Sequence, residues 1–184
     1  FVQGGKKKIS PFKKFNKVRL LSKTSFELPD KEKIIELEKI AKDQGSGVKF
    51  DSLLGDWKFI SVWKKDKENL IFSSLLRIFD ANINFTKELT TDCLPKFLVI
   101  TSITLGVLTM EFSGSGYLKG EQPLLIFFFD LIQIKSGLKI LFSRSLKEKE
   151  DKEKTFFSLI ALEENGAWLS ARGQGGALVI WLKD

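Results

Sequence analysis

The strongest constraint on the fold is the side-chain pattern from about residue 52 to the end of the chain. Short stretches rich in Val, Ile, Phe and Thr alternate there between two faces and are separated by turn signals. Residues 56–64 are typical, because Trp57, Phe59 and Trp63 alternate with a second set of side chains. Successive side chains of an extended strand point to opposite faces of a sheet. The pattern therefore predicts a mostly β fold built from antiparallel strands.

Turn signals divide this region. Residues 135–137 (Lys-Ser-Gly) and Asn165-Gly166 are predicted as hairpin turns, the second of type I′, and Gly106 is predicted to divide a strand or mark a bulge. Segment 147–154 holds equal numbers of lysines and acids and is predicted as a solvated hairpin loop. The predicted strands occupy residues 56–64, 97–112, 124–134, 138–145, 155–162 and 168–182.

Consecutive hairpins of this kind form a meander, and a long meander normally closes into a barrel because closure removes two exposed edges. We therefore expect the last strand to pair with residues 56–63. Ahead of the strands, residues 31–43 predict a helix, with Asp30 as its N-cap. The predicted organisation is a basic flexible arm, residues 1–29, followed by a single β-barrel domain with a leading helix, residues 30–184.

The arm carries the positive charge of the chain. Residues 1–25 contain eight Lys or Arg and no acid, whereas the rest sums to −1 of the net +7. Basic charge attracts nucleic acid or anionic lipid, and an acid-free basic segment is also typical of a targeting leader. The interleaved Phe and Leu favour a membrane and make nucleic acid the weaker interpretation. The residues predicted to contact an anionic membrane surface or a membrane protein complex are Lys6, Lys7, Lys8, Lys13, Lys14, Lys17 and Arg19.

Residue types that most catalysis requires are scarce. The chain has no His, which removes the usual proton-transfer group and the commonest metal ligand. Its single cysteine, Cys93, excludes an internal disulfide and a Cys-cluster metal site, and it has no His to activate it. Nothing in the spacing of Glu111 and Asp130 supports a glycosidic carboxylate pair. We predict no catalytic residue, no metal site and no cofactor, and therefore no enzyme.

Two motifs resemble the plastid lipid-associated proteins, also called plastid fibrillins. Leu53-Leu54-Gly55-Asp56-Trp57-Lys58-Phe59 resembles the segment where that family's helix ends and its barrel begins. The segment 170–180, with Arg172-Gly173-Gln174-Gly175-Gly176 inside it, resembles the family's closing strand. Family members often carry an acidic residue where this chain has Gln174, so no role of that acid is transferred.

The resemblance implies a lipocalin-like antiparallel β-barrel in a plastid or a cyanobacterium, peripherally associated with thylakoid membranes, lipids, carotenoids and prenylquinones. In lipocalins, which share the Gly-x-Trp opening, a late Arg packs on that Trp at the closed end. Arg172 is the matching residue here, so we expect Trp57 and Arg172 to form a structural cation–π plug. A peripheral location agrees with the most apolar run, residues 124–134, which is too short and polar for a transmembrane helix.

The inside of such a barrel is the candidate ligand site. Phe127 and Phe129 share one face of their strand and Phe128 takes the other. Either one face lines an apolar pocket, or both faces are buried, inside the barrel and under the helix. The glycines of residues 173–176 lack the phosphate-loop pattern and predict a bulge or a tight corner. The residues predicted to bind the ligand are Phe59, Phe127, Phe129 and Phe142.

The predicted function is non-catalytic binding of a hydrophobic small molecule, a lipid, carotenoid or quinone, at or near a photosynthetic membrane. One alternative is an interaction or assembly subunit with a filled barrel that docks on a membrane protein complex. Another is a chromophore chaperone similar to the bilin lyases. An open interior favours carriage, whereas an interior filled by Phe and Leu favours the assembly subunit.

The charge distribution generates a test of the arm. A chain that begins at Phe26 is expected to lose salt-sensitive binding to anionic vesicles, because each Lys or Arg near an anionic leaflet contributes about 1 kcal/mol. Flotation of the full-length and shortened chains at low and high salt measures this. Equal flotation of both at low salt would contradict the prediction that the arm binds membranes.

Overall fold

A computed structural model describes residues 28–64, 67–68, 80–88, 95–121, 123–147, 150 and 154–184. The basic residues of the arm and Cys93 lie outside this part of the chain, as does most of segment 147–154. The predictions made for them are therefore not addressed by the structure.

The helix before the strands is confirmed. Helix α1 spans Lys31–Gln44, and the Asp30 carboxylate accepts a hydrogen bond from the backbone N–H of Lys33 at 2.8 Å. This caps one of the N–H groups that a helix start leaves without a partner. Gly45 follows with a positive φ of 81°, and a short helix α2, Phe50–Leu53, leads directly into the first strand.

The described residues are mostly β, with ten antiparallel strands in one sheet. Predicted and observed strands agree closely from residue 124 to residue 162. The sequence pattern did not predict the two-residue β2 or the longer β3, in which Asn residues occupy half-buried positions among the apolar ones. The strands are β1 Gly55–Lys64, β2 Lys67–Glu68, β3 Ala81–Glu88, β4 Lys96–Leu105, β5 Leu108–Lys119, β6 Leu124–Ser136, β7 Lys139–Ser145, β8 Thr155–Leu162, β9 Trp168–Gly173 and β10 Leu178–Lys183.

The first and last long strands pair with each other, as the sequence predicts. Strand β1 pairs with β10 from Trp57 opposite Lys183 to Trp63 opposite Leu178. On its other side β1 pairs with β3, and the path continues through β4, β5, β6, β8 and β9 back to β10. Neither β1 nor β10 is therefore a free edge along its paired length.

Two details of the predicted meander are wrong. Residues 168–182 form two strands, because Gly173, Gln174, Gly175 and Gly176 turn the chain between β9 and β10; the tight corner predicted from the glycines is correct. Strands β7 and β8 do not pair with each other as a hairpin. Both strands pair with β6, with β7 on Leu131–Ser136 and β8 on Leu124–Phe127.

The predicted turn at Asn165-Gly166 joins two paired strands, but it is not of type I′. A type I′ turn needs positive φ at both central residues. Gly166 has a φ of 72°, whereas Asn165 is not among the described residues with positive φ. The Glu163 carboxylate explains the difference, because it accepts hydrogen bonds from the N–H groups of Asn165 at 2.9 Å and Ala167 at 3.2 Å and holds a wider loop.

The sheet buries both of its faces, with a different partner for each. Its inner face gathers side chains from most of the strands into one core, which includes Trp57, Phe97, Leu125 and Trp181. On the outer face, α1 covers a second cluster in which Ile34 packs with Ile160 and other side chains of β8, β9 and β10. A bulge in β1 between Phe59 and Ser61 changes which side chains point inward after it. Val62 therefore lies in the inner core, and Trp63 packs against the outer cluster.

The closest backbone approach in the sheet lies at Gly114, where the pairing of β5 and β6 shifts by one residue. A Cβ at this position would lie 2.0 Å from the Phe128 carbonyl oxygen and 2.8 Å from the Phe129 Cα. Both neighbours are backbone atoms, so they cannot yield by changing rotamer. Glycine is therefore required at this bulge.

Gly114→Ala is expected to lower the free energy of unfolding by about 3 kcal/mol, because the sheet must shift to admit one methyl group. Gly175→Ala is the matched control, since its Cβ would meet nothing within 4 Å, and we expect a change within about 0.5 kcal/mol. Urea denaturation measures both. Equal stability of the two variants would mean that β5 and β6 do not approach in this register.

Candidate functional site

A continuous series of aromatic rings lines the inner face of the sheet. Neighbouring rings in the series have centroids 5.1–5.6 Å apart and come from β1, β5, β6, β8 and β10. Each such contact contributes about 0.5–1.5 kcal/mol beyond the burial of the rings. The series therefore stabilises the core and gives the inner face an apolar, polarisable surface. In order, its members are Phe112, Phe129, Phe127, Phe157, Trp181 and Phe59.

Three of the four predicted ligand residues belong to this aromatic series, namely Phe59, Phe127 and Phe129. The fourth, Phe142, does not. It lies on β7 opposite Ile134, and 46% of it is exposed. Phe142 therefore stands apart from the aromatic series, because β7 pairs with residues 131–136 of β6 instead of continuing the sheet toward β8.

One end of the inner face is closed by the segment that precedes β1. The Phe50 ring of α2 stacks on Phe97 with centroids 3.9 Å apart. The indole N–H of Trp57 donates a hydrogen bond to the Leu53 carbonyl oxygen at 2.7 Å, and both residues are fully buried. The Leu-Leu-Gly-x-Trp motif thus folds the helix end over the core and fastens it to the first strand.

The rings of the aromatic series differ in how far they are buried. Trp181 and Phe127 are nearly fully buried, at 1% and 4% exposure. Phe59, Phe129 and Phe157 are only half-buried and pack at the margin of the core. Together with Phe112, which is also half-buried, these rings are the accessible part of the series.

Trp181 carries the one unpaired polar group of this series. Its indole nitrogen is buried and has no hydrogen-bond partner among the described residues. A buried donor left without an acceptor costs about 1–3 kcal/mol, and such groups are uncommon in folded proteins. Its neighbours in the series are the rings of Phe59 and Phe157, the latter at 89° to the indole. The Trp181 N–H is therefore enclosed by aromatic rings and lacks an acceptor within the described part of the chain.

The predicted contact between Trp57 and Arg172 is wrong. Arg172 on β9 pairs with Leu178, which in turn lies opposite Trp63, six residues from Trp57 along β1. The cation over the Trp57 ring is instead the Lys183 ammonium, 5.2 Å from the ring centroid. Trp57 does lie at a closed end and is structural, but its cation comes from the end of β10.

Arg172 connects three elements on the outer face. Its Nε and Nη2 donate to the two carboxylate oxygens of Glu38 on α1, at 2.6 and 2.5 Å, and its Nη1 donates to the Gly176 carbonyl oxygen at 2.8 Å. The pair therefore ties the helix to the β9–β10 turn. This bond lowers the pKa of Glu38, while burial acts in the opposite direction and nearby Lys42 lowers it further.

Sequence reasoning missed Glu38 and Trp181. A signal for Glu38 is present, since Ile34, Glu38 and Ala41 share one face of α1 at helical spacing and all three are buried. An acid on the buried face of a helix requires a cationic partner. The chemistry of Trp181 has no comparable signal, because its lack of an acceptor depends on which rings surround it.

Other reactive arrangements are not formed by the described residues. Glu111 is paired with Lys135 at 2.7 Å, and Gln133, not Asp130, lies opposite it. No group of three or more Asp, Glu or Cys side chains in this part of the chain is placed to hold a metal ion. Neither of the two described helices is long and apolar enough to cross a bilayer.

No protein-family model, no curated protein and no solved structure matches the chain. The resemblance to the plastid lipid-associated proteins therefore stays a prediction from two motifs.

Glu38→Gln is expected to lower the free energy of unfolding by about 2 kcal/mol at pH 7, because it leaves Arg172 with a neutral partner on the buried side of α1. This loss of stability is smaller than that for a fully buried ion pair, because one third of the Arg172 side chain is exposed to solvent. Glu36→Gln is the matched control on the same helix, because its carboxylate is 64% exposed and pairs with the exposed Lys33.

The pair also predicts a pH dependence. The folded pKa of Glu38 lies below its unfolded value, so the stabilisation is complete above about pH 4.3 and is lost as the pH falls through the folded pKa. The stability difference between wild type and Glu38→Gln should therefore shrink in acid. Thermal melts from pH 7 to pH 3 measure it, and a constant difference across this range would exclude the ionised pair.

Proposed function

We propose that this protein is a non-catalytic binding protein that holds a hydrophobic small molecule on the inner face of a lipocalin-like barrel. The pairing of β1 with β10 supports a closed barrel, and α2 with Trp57 supports a lipocalin-like closed end. The observation that carries the proposal is the aromatic series, whose rings are partly accessible and which contains a single unpaired donor, the Trp181 N–H. Apolar walls with few polar groups are typical of small-molecule sites.

The Trp181 N–H narrows the kind of ligand. A ligand with a carbonyl or carboxyl oxygen gives this buried donor the acceptor it lacks, whereas a pure hydrocarbon does not. Among lipids, carotenoids and quinones, the site thus favours a quinone, an acyl lipid or an oxygenated carotenoid over a carotene. A peripheral place at a thylakoid membrane, in a plastid or a cyanobacterium, follows from the family resemblance and the basic arm.

A second candidate function is an interaction or assembly subunit whose barrel is filled by its own side chains. The observation that favours it is the close contact of the rings themselves, since consecutive members of the series touch without a gap between partners. In this case the inner face is only a core, and partners bind elsewhere on the molecule. The two functions differ in whether wild-type protein takes up any apolar molecule.

Trp181→Phe separates these candidates. The variant keeps an aromatic ring but removes the N–H, so affinity for a ubiquinone or plastoquinone probe is expected to fall about three- to tenfold, with little change for β-carotene. Trp168→Phe is the matched control, because Trp168 lies in the outer cluster. Equilibrium dialysis against labelled probes measures the dissociation constants.

Each other outcome has a distinct meaning. If wild-type protein binds none of the probes, the filled-barrel subunit is the better proposal. If Trp181→Phe weakens quinone and carotene binding equally, the inner face binds ligands but the N–H does not select them.

A further inference from the structure

The described part of the chain exposes an unusual concentration of large apolar side chains on two hairpins. Of its ten exposed large apolar residues, eight lie near the turns of the β4–β5 and β6–β7 hairpins; the other two are Ile40 on α1 and Leu98, near the start of β4 and far from its turn. Scattered exposed apolar residues need no explanation, but a contiguous group marks an interaction surface. We call this group the apolar hairpin patch; its members are Leu105, Val107, Leu108, Met110, Leu138, Ile140, Leu141 and Phe142.

Strand register places the two hairpin turns side by side. Leu105 pairs with Leu108, Leu108 pairs with Ser136, and Ser136 pairs with Lys139. The side chains at the two turns are the most exposed of the patch, with Val107 at 77% and Leu138 fully exposed. The patch therefore ends in a projecting edge of aliphatic side chains.

Charge around the patch is mainly basic. The projecting parts of these strands, residues 101–112 and 131–145, contain Lys135, Lys139 and Arg144 and a single acid, Glu111. Glu111 is paired with Lys135 at 2.7 Å, so exposed Lys139 and Arg144 give the surroundings of the turns a positive charge. The backbone of both hairpins is paired up to their turns, which keeps the cost of placing them in an apolar medium low.

We propose that the apolar hairpin patch docks on the surface of a lipid bilayer, with the two turns inserted at the level of the headgroups. Projecting aliphatic side chains bounded by basic residues match an interface that is apolar below and anionic above. A protein partner needs a complementary pocket for each projecting side chain, whereas a bilayer accepts them without one. This docking does not depend on the basic arm or on what the inner face binds.

The docked orientation also relates the bilayer to the inner face. Phe112 pairs with Ile132 and Met110 with Ile134, so these side chains share the face that carries Phe129 and the rest of the aromatic series. The inner face therefore continues without a polar break into the patch. A molecule leaving the bilayer beside Met110 reaches the half-exposed aromatic rings along an apolar path.

The test replaces the two projecting side chains in the full-length protein. Val107→Ser with Leu138→Ser is expected to lower partitioning onto phosphatidylcholine vesicles at least about tenfold, because two aliphatic side chains no longer leave water. Ile40→Ser with Leu98→Ser is the matched control, since both residues are exposed and apolar but lie outside the patch; its partitioning should not change. Flotation is run at high salt, where charge attraction by the arm is screened.

Two results would overturn the proposal. Equal flotation of wild type and the Val107/Leu138 variant would show that the patch does not enter the bilayer. Failure of wild type to float, together with a dimer in sedimentation equilibrium that this variant dissociates, would make the occupant a second copy of the chain. Dialysis of the same variant against the quinone probe in solution keeps the result separate from the proposed function, because the inner face is unchanged.

Discussion

The pairing of β1 with β10 is the contact on which the rest of the structure depends. It joins residues more than a hundred positions apart and leaves neither strand with an open edge along the paired length. With this pairing in place, side chains from β1, β8, β9 and β10 meet those of β3, β4 and β6 in a single inner core. Without it, Trp57 and Trp181 would lie at opposite margins of a sheet instead of in one cluster.

Both ends of this pairing are reinforced by a cation, but not by the same one. At the start of β1, Lys183 lies over the Trp57 ring, an interaction of about 0.5–2 kcal/mol. At the other end, Arg172 binds Glu38 and the Gly176 carbonyl and so joins α1 to the last turn. The Arg-Gly-x-Gly-Gly motif therefore attaches the helix to the last turn, because its Arg binds both Glu38 of α1 and the carbonyl of the motif's own final Gly.

The inner face is asymmetric, and the proposals rest on that asymmetry. At one end Phe97 and Trp57 are fully buried, and half-buried Phe50 stacks on Phe97. Toward the other, half-buried rings lead to hairpins that expose their apolar side chains. A core that serves only stability gains no free energy from apolar side chains that stay in water. The hydrophobic contribution comes only from apolar surface that is removed from water. The proposed uptake of an apolar molecule at a membrane accounts for this arrangement.

The sequence by itself determined the elements of this fold. The alternation of apolar side chains predicted β6 and β8, and Asp30 and Gly45 marked the two ends of α1. The two-residue period of a strand predicted that Phe127 and Phe129 lie on the same face. These are local properties, decided by a residue and its near neighbours. One local prediction failed: the turn at Asn165 is not of the predicted type, because the Glu163 carboxylate accepts hydrogen bonds from backbone N–H groups of the turn.

Only the tertiary structure decided which residues meet. Trp57 is buried and Arg172 is half-buried, yet register separates them by six residues and gives them different partners. Phe142 follows the same alternation as Phe127 but lies on a strand that leaves the core. Register depends on how distant strands slide past one another and on single-residue bulges, such as those beside Gly114 and Phe59. A one-residue shift exchanges the two faces of a strand. The free energy that selects one register is summed over the contacts of the whole sheet, so no single segment of the sequence determines it.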